Sequence, residues 1–305
     1  MNNVKIMICC HKDCELPKED LFLPIQVGAK ISNVNLNFQH DDVVGDDECD
    51  NISDKNKSYC ELTAMYWAWK NIKKIYPTLE YIGLNHYRRY FSFDENKPFD
   101  DVIIKNETFI SKYEINKKKL ENYLIGDKII VAKKHFYPYP VSVDYSVGHV
   151  SDDFKILKQV VHDLYPEYDD AFYRTLMRQN GISHYNMFVM KYDDYDDYCK
   201  WLFDILFECE KRINIDNYNA VQSRIWGYMA ERLFNVWLYK NKKNKLVFLN
   251  IYKIANNETE MNRIKRLIVV MLYWLSNKII RSHSKSQREF EILNEKSYLK
   301  MIGQK

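Results

Sequence analysis

Between Asn51 and Phe91 the chain reads polar loop, amphipathic helix, apolar strand and basic strand end, and no other stretch restricts the fold as much. Leu62, Met65, Tyr66, Trp69, Ile72 and Tyr76 recur at the spacing of one helix face, and Pro77, which cannot continue a helix, closes the segment. Ser58 and Glu61 stand at the S-x-x-E spacing of a capping box, which predicts that the helix starts there. Tyr81-Ile82-Gly83-Leu84 then predicts a buried strand, followed by Asn85-His86-Tyr87-Arg88-Arg89. The unit is βαβ-like. Ligands of open α/β sheets bind at the carboxyl ends of strands, so these last residues are expected to face a site. Guanidinium groups keep their charge and grip phosphate oxygens in pairs, so the expected ligand is a phosphate-bearing anion. If the strand continues through Arg88 and Arg89, their side chains alternate; one then meets the ligand and the other the core rim or a carboxylate.

The rest of the chain repeats the alternation of strand and helix. Val4 to Cys9 predicts a buried first strand ending at Cys10-His11-Lys12, and Pro24 to Ala29 follows, with Gly28 permitting close backbone approach. The acid-rich residues 41–50 read as a solvated loop. Lys128 to Ala132 and Tyr185 to Met190 predict strands; Phe154, Leu157, Val160, Val161 and Leu164 mark a helix, as do Tyr198 to Ile213 and Gly227 to Tyr239. This order argues α/β.

Seven cysteines, an odd number without a C-x-x-C pair, read as free thiols of a reducing cytoplasm, and the short apolar start after Met1-Asn2-Asn3 is no secretory signal. The net charge of +3 hides an asymmetry: residues 240–305 carry 15 Lys and Arg against 5 Asp and Glu, leaving residues 1–239 net acidic. Within that tail the apolar run Leu267 to Leu275, bracketed by cations, falls short of the roughly 20 residues that cross a bilayer. A basic helix carrying Tyr273 and Trp274 suits an anionic membrane surface and a docked terminal helix equally. Tail charge and an aromatic content of 15% also raise RNA binding. No RNP-type, zinc or helix-turn-helix pattern supports it, and no nucleic-acid partner is expected.

Taken in order, Cys10-His11-Lys12, Pro24 to Ala29, Asn51-Ile52-Ser53 with Asn56, Cys60-Glu61-Leu62-Thr63, Tyr66 to Asn71, His86 to Phe91 and Asn186 to Met190 resemble a bacterial family of capsular and exopolysaccharide biosynthesis proteins, labelled as a domain of unknown function. The resemblance spans residues 4–240. It implies a GT-A-like glycosyltransferase with a Rossmann-type central mixed sheet flanked by helices, in a domain of residues 1–255 followed by a basic helical tail of residues 256–305. It further implies a hexosyltransferase using a UDP-sugar, with galactofuranose or galactose favoured and inversion preferred. The acceptor would be a growing polysaccharide or a lipid-linked oligosaccharide. The setting would be the cytoplasm, peripheral at the inner face of the cell membrane.

Many GT-A enzymes hold a divalent cation through a D-x-D pair after a central strand; His86-Tyr87-Arg88 takes that place here. The expectation is therefore an enzyme without a metal cofactor, in which arginines stabilise the departing diphosphate, with Mn2+ or Mg2+ as the alternative. A literal D-x-D at Asp194-Tyr195-Asp196 reads either as a metal site or as an acidic helix start. Expected donor contacts are His11, Lys12, Gln26, Gly28, Asn51, Ser53, Asn56, His86, Arg88, Arg89 and, by the resemblance, Asn186. Gly28 and the Asn and Ser residues read equally as turn formers. For the general base the first candidate is Glu231, whose plain reading is a surface salt bridge beside Arg232; His149 and Asp152 come second and His184 third. The rival function is a non-catalytic nucleotide-sugar-binding scaffold of a capsule assembly complex.

Overall fold

The computed structural model describes residues 3–93, 102–104 and 107–254, with three isolated helical positions at 268, 271 and 272. The first strand, β1 (Val4–Cys10), is buried along its whole length, including Lys5, whose ammonium donates to Asp20 O at 2.6 Å and to its carboxylate at 3.1 Å. Val4, Ile6, Ile8 and Cys10 enter one core cluster and Met7 and Cys9 the other, so this strand divides the molecule into two layers. β2 (Phe22–Gln26) and β3 (Gln39–His40) add in parallel on one side. A small hairpin of β4 (Val43–Val44) and β5 (Asp47–Glu48) leads to the short α1 (Asn56–Tyr59) and the long α2 (Leu62–Ile75).

The chain then forms β6 (Tyr81–His86), β7 (Arg89–Phe91), β8 (Val102–Ile104), α3 (Lys117–Leu124), β9 (Ile129–Ala132) and β10 (His135–Phe136). Next come α4 (Val141–Gly148), α5 (Ser151–Leu164), α6 (Asp169–Phe172), β11 (Gly181–Ile182), β12 (Phe188–Lys191), α7 (Tyr192–Arg212), α8 (Ile225–Lys242), β13 (Leu246–Leu249) and β14 (Ile251–Ile254). The main sheet is mixed and runs β13, β9, β12, β6, β1, β2, β3, with β7, β14 and β8 as a branch. The fold is α/β, a central mixed sheet with helices α2, α5, α7 and α8 over one face. The other face is covered by α3, Tyr90, Tyr113 and the branch strands.

Strand direction decides where a site can form. β6 is parallel to β1 and antiparallel to β12, so the carboxyl ends of β1, β2 and β6 share one sheet edge with the amino end of β12. Residues 184–187 therefore reach the same edge as His86.

Several sequence expectations are corrected. The helix does not start from a capping box: Ser58 Oγ bonds back to Lys55 O, Cys60 breaks the helix with φ 53° and ψ −127°, and Glu61 turns its side chain to Asn186. Asn56 caps that break instead, its amide donating to Cys60 O at 2.8 Å. α2 is buried on two sides rather than one, because Trp67 and Ala68 face the interior while Tyr66 and Trp69 pack on Phe203 of α7. Residues 41–50 are not simply solvated: Asp41 is fully buried, and the β4–β5 hairpin lies on α2 through Trp67 Nε1 to Val43 O.

The strand through His86 does not continue into Arg88. Tyr87 and Arg88 form a two-residue turn, and β7 runs back antiparallel with His86 opposite Arg89. The strand expected from Tyr185 begins only at Phe188, because Tyr185 and Asn186 hold positive φ angles of 73° and 51°. α7 begins at Tyr192, six residues before the expected start, which places the D-x-D residues in its first turns at the far sheet edge. Asp194 pairs there with Lys242 at 2.6 Å and Asp196 accepts from Trp69 Nε1, the acidic helix start of the two readings. Strands β13 and β14 carry no sequence expectation, being short and joined by Asn250 alone. No helix among the described residues is long and apolar enough to cross a membrane. The tail helix call falls, apart from the three positions named, outside the described residues.

Candidate active site

At the shared sheet edge, cations from three separate segments meet around tyrosine rings. The Tyr87 ring gathers the edge of His11 at 5.0 Å, Lys12 Nζ at 5.8 Å and the Arg88 guanidinium at 5.1 Å. Arg89 lies 4.5 Å over Tyr185. From the turn before α8, Arg224 donates to Cys60 Sγ at 3.2 Å and lies 5.8 Å from the Tyr228 ring. Partial enclosure, then Lys12, Arg88 and Arg224, push the His11 pKa down, the mark of a ring crowded by positive charge. Among the described residues Lys12, Arg88, Arg89 and Arg224 have no carboxylate within ion-pair distance.

Behind this basic rim the side chains become buried and paired. His86 donates Nε2–H to Tyr185 O at 2.7 Å, since a carbonyl can only accept. Burial lowers its pKa, with Arg89 adding to burial and Glu61 opposing it. Asn186 donates to Glu61 Oε1 at 2.7 Å and, longer, to Gly227 O, while its own carbonyl oxygen is buried without a partner. Glu61 thereby joins the start of α2 to the turn before β12.

Glu231, on α8, is the centre of a second, buried group. Tyr185 N donates to its Oε1 at 2.8 Å, and its Oε2 takes His184 Nδ1 at 3.0 Å and Arg232 Nη1 at 3.2 Å. Arg232, almost wholly buried, also pairs with Asp144 at 3.3 Å, and the Tyr137 hydroxyl bonds His184 Nε2. Burial favours the protonated carboxyl of Glu231, but His184, Arg232 and the Tyr185 amide outweigh it and bring the pKa down to about 2. Burial raises Asp144, against the pull of Arg232 and His184. His149 stacks on Tyr228 at 4.0 Å and bonds Gln222; burial and Arg232 depress its pKa to about 4.

The structure thus brings together Glu231, His184, His149, His86, Arg88, Arg89, Asn186, His11 and Lys12. Asp152 stands apart: it is half exposed at the start of α5 and pairs with Lys155 one turn on. The remaining expected donor contacts turn inward. Gln26 spans Val34 O and Leu36 N; Asn51 closes its own turn through Cys49 O and Ser53 N; Ser53 Oγ donates to Asp41 at 2.5 Å. Gly28 and Ala29 donate their amides to the same Asp41 carboxylate. These residues build the floor beneath the loops at this edge. Sequence reasoning missed Glu61, masked by its capping spacing, and Arg224, Tyr137 and Asp144, for which no local pattern exists.

Among the described residues no group of three or more His, Cys, Asp and Glu is arranged to hold a metal ion. The arrangement can bind an oxyanion at its rim and manage a proton at its buried centre. The model of a family described as "Domain of unknown function (DUF4422)" matches residues 5–243. Among solved structures, one described as "WbbM bifunctional glycosytransferase apo structure" is similar at a TM-score of 0.73 and 30% sequence identity, over 86% of this chain and 48% of that one. The chain therefore spans about half the length of that protein. No curated protein matches it.

Proposed function

The chain belongs to the DUF4422 family, and from that premise and its likeness to a solved glycosyltransferase we propose that it transfers a hexosyl group from a nucleotide-diphosphate sugar to a glycan. UDP-galactofuranose or UDP-galactose is the favoured donor. A growing capsular or exopolysaccharide chain or a lipid-linked oligosaccharide is the acceptor, reached at the inner face of the cell membrane through the basic tail. The observation that carries the reading is the set of cations that have no carboxylate partner among the described residues, drawn from the end of β1, the β6–β7 turn and the turn before α8.

In the proposed reaction the acceptor oxygen attacks the anomeric carbon with inversion and UDP leaves. Charge grows on the leaving diphosphate, and Arg88, Arg89, Arg224 and Lys12 are placed to meet it with charge-assisted hydrogen bonds. No metal is required for that role. The Glu231–His184 group manages the acceptor proton, and Asn186, fixed by Glu61, faces the reacting sugar.

UDP release from a panel of UDP-sugars, with a glycoside or lipid-linked acceptor present, tests this in parallel with manganese and with EDTA. Transfer is expected to survive EDTA. Arg88→Ala and Arg224→Ala are each expected to weaken UDP binding roughly 10-fold or more, the loss of a hydrogen bond to a charged group. Loss of transfer in EDTA with recovery in manganese would replace the arginine-based site by a metal-based one. Saturable UDP binding without transfer would favour a scaffold.

A further inference from the structure

We infer that the terminal sugar of the acceptor is an uncharged hexose bound on the paired rings of Tyr228 and His149, with one of its hydroxyls donating to His149 Nε2; this deepens the transferase reading above and rests on it. Tyr228 lies one helical turn after Arg224 and one turn before Glu231 and Arg232, so the four residues share one face at the start of α8. Its ring is 5.8 Å from the Arg224 guanidinium, and its carbonyl accepts from Arg232 Nη1 at 3.3 Å. The ring therefore stands between the cations proposed to meet the diphosphate and the group proposed to manage the acceptor proton. An acceptor sugar has to occupy that interval.

The platform is built from two segments clasped together. His149, directly after α4, stacks on Tyr228 with ring centroids 4.0 Å apart and planes 28° from parallel, and the buried Tyr145 ring packs against it at 4.9 Å. Gln222, in the turn before α8, fixes the imidazole proton. Gly148 O only accepts, so Gln222 Nε2 donates to it at 2.9 Å and the amide oxygen is left facing His149 Nδ1 at 3.2 Å. That oxygen also only accepts, so Nδ1 carries the proton and Nε2 the lone pair. Burial and Arg232 bring the His149 pKa down to about 4, which keeps the ring neutral near pH 7.

The lone pair is open to a ligand. His149 Nε2 has no hydrogen-bond partner among the described residues and is not closed off from the surface, and the same holds for the hydroxyl of half-buried Tyr228. Each of the two segments also carries an exposed valine, Val147 at 49% and Val221 at 58% exposure.

Such a surface selects its occupant by chemistry. It offers an aromatic face, two uncharged hydrogen-bonding groups and apolar flanks, the combination that suits a ring with C–H faces and hydroxyls at its edge. A hydroxyl donates to Nε2, whereas a sugar carboxylate would set lone pair against lone pair. The rim cations and this platform thus divide the substrates between them: charge recognises the diphosphate, and stacking with a neutral hydrogen bond recognises the acceptor.

Saturation-transfer NMR on the full chain, with UDP present, reads this binding without turnover. The neutral probes are the methyl glycosides of galactose, glucose and mannose, and the acidic probe is methyl glucuronide. Wild type is expected to bind at least one neutral probe and to bind it better than the glucuronide. His149→Phe keeps the stacked ring and removes the lone pair, so it should weaken that probe by about 5- to 10-fold, the loss of one neutral hydrogen bond, without changing UDP affinity. Tyr228→Ala removes the platform and should weaken it by about 10-fold or more. Thermal melts of both variants separate these losses from unfolding, and His149→Phe, which conserves bulk, keeps the test open if Tyr228→Ala does not fold. Equal probe affinity in wild type and folded His149→Phe, preference for the glucuronide, or binding of no neutral probe would overturn the inference. A chain that binds UDP and the neutral probe as expected yet transfers to no acceptor overturns the transferase reading instead.

Discussion

Glu231→Gln is expected to lower turnover by about 10²- to 10⁴-fold while leaving UDP affinity nearly unchanged, since in the proposed reaction the cations of the rim, and not Glu231, hold the donor. The substitution keeps shape and keeps an oxygen for the Tyr185 amide. It changes the other end. An amide NH2 set against His184 Nδ1 donates to it, which moves the imidazole proton to Nε2 and disturbs the group proposed to manage the acceptor proton. Steady-state kinetics with UDP binding measured separately distinguishes this from a general loss of structure. A change confined to KM would contradict it.

The same variant has a stability signature. Folding lowers the Glu231 pKa from its ordinary 4.5 to about 2. A lowered carboxyl contributes stability above its unfolded pKa and loses it as pH falls through the folded one, so the contribution is complete near neutrality and disappears between pH 4.5 and about 2. Linkage puts it at about 3 kcal/mol. The difference in unfolding free energy between wild type and Glu231→Gln should therefore be largest near pH 7 and shrink on acidification. A difference that stays constant down to low pH would mean that the carboxylate is not held by His184 and Arg232.

Gly28→Ala is expected to destabilise the fold by about 3 kcal/mol, the sum of an unfavourable left-handed conformation and steric overlap. Gly28 has φ 67°, and a Cβ there would stand 2.7 Å from Asn56 Cβ and 2.8 Å from its Cγ and Oδ1. Neither chain can yield cheaply. The Gly28 amide is tied to buried Asp41, and Asn56 is tied to Cys60 O and Thr63 Oγ1. The denaturant midpoint should fall with an unchanged slope. An unchanged midpoint would show that the loops at this edge have room to shift.

Legibility followed the range of the forces involved. The α2 pattern, the buried β1 and the strand ending at His86 could be read because apolar periodicity is local and both faces of the central strands are covered. Basic residues at that strand end pointed to an anion site for the same reason. The β6–β7 turn was not legible, because Tyr87-Arg88 contains no glycine, asparagine or proline to mark it. Glu61 was misassigned, because a capping spacing describes only the neighbours in sequence, whereas its carboxylate accepts from Asn186, in the turn before β12. Gln26, Asn51, Ser53 and Asn56 are polar residues at the same edge, but they have partners within the protein, backbone carbonyls for Gln26, Asn51 and Asn56 and the Asp41 carboxylate for Ser53.

What the sequence by itself determined was the alternation of strands and helices, the membership of the central strands in a doubly covered sheet, and the placement of cations at its edge. Those properties follow from side-chain polarity and from backbone preferences acting over a few residues. Only the tertiary structure decided that β12 runs antiparallel to β6, and this brings His184, Tyr185 and Asn186 to the same edge as His86. It likewise decided that α8 delivers Glu231 and Arg232 beneath them, and that Arg224 closes the rim. Pairings between groups more than a hundred residues apart, such as Glu61 with Asn186, depend on strand direction and helix packing and leave no trace in local spacing.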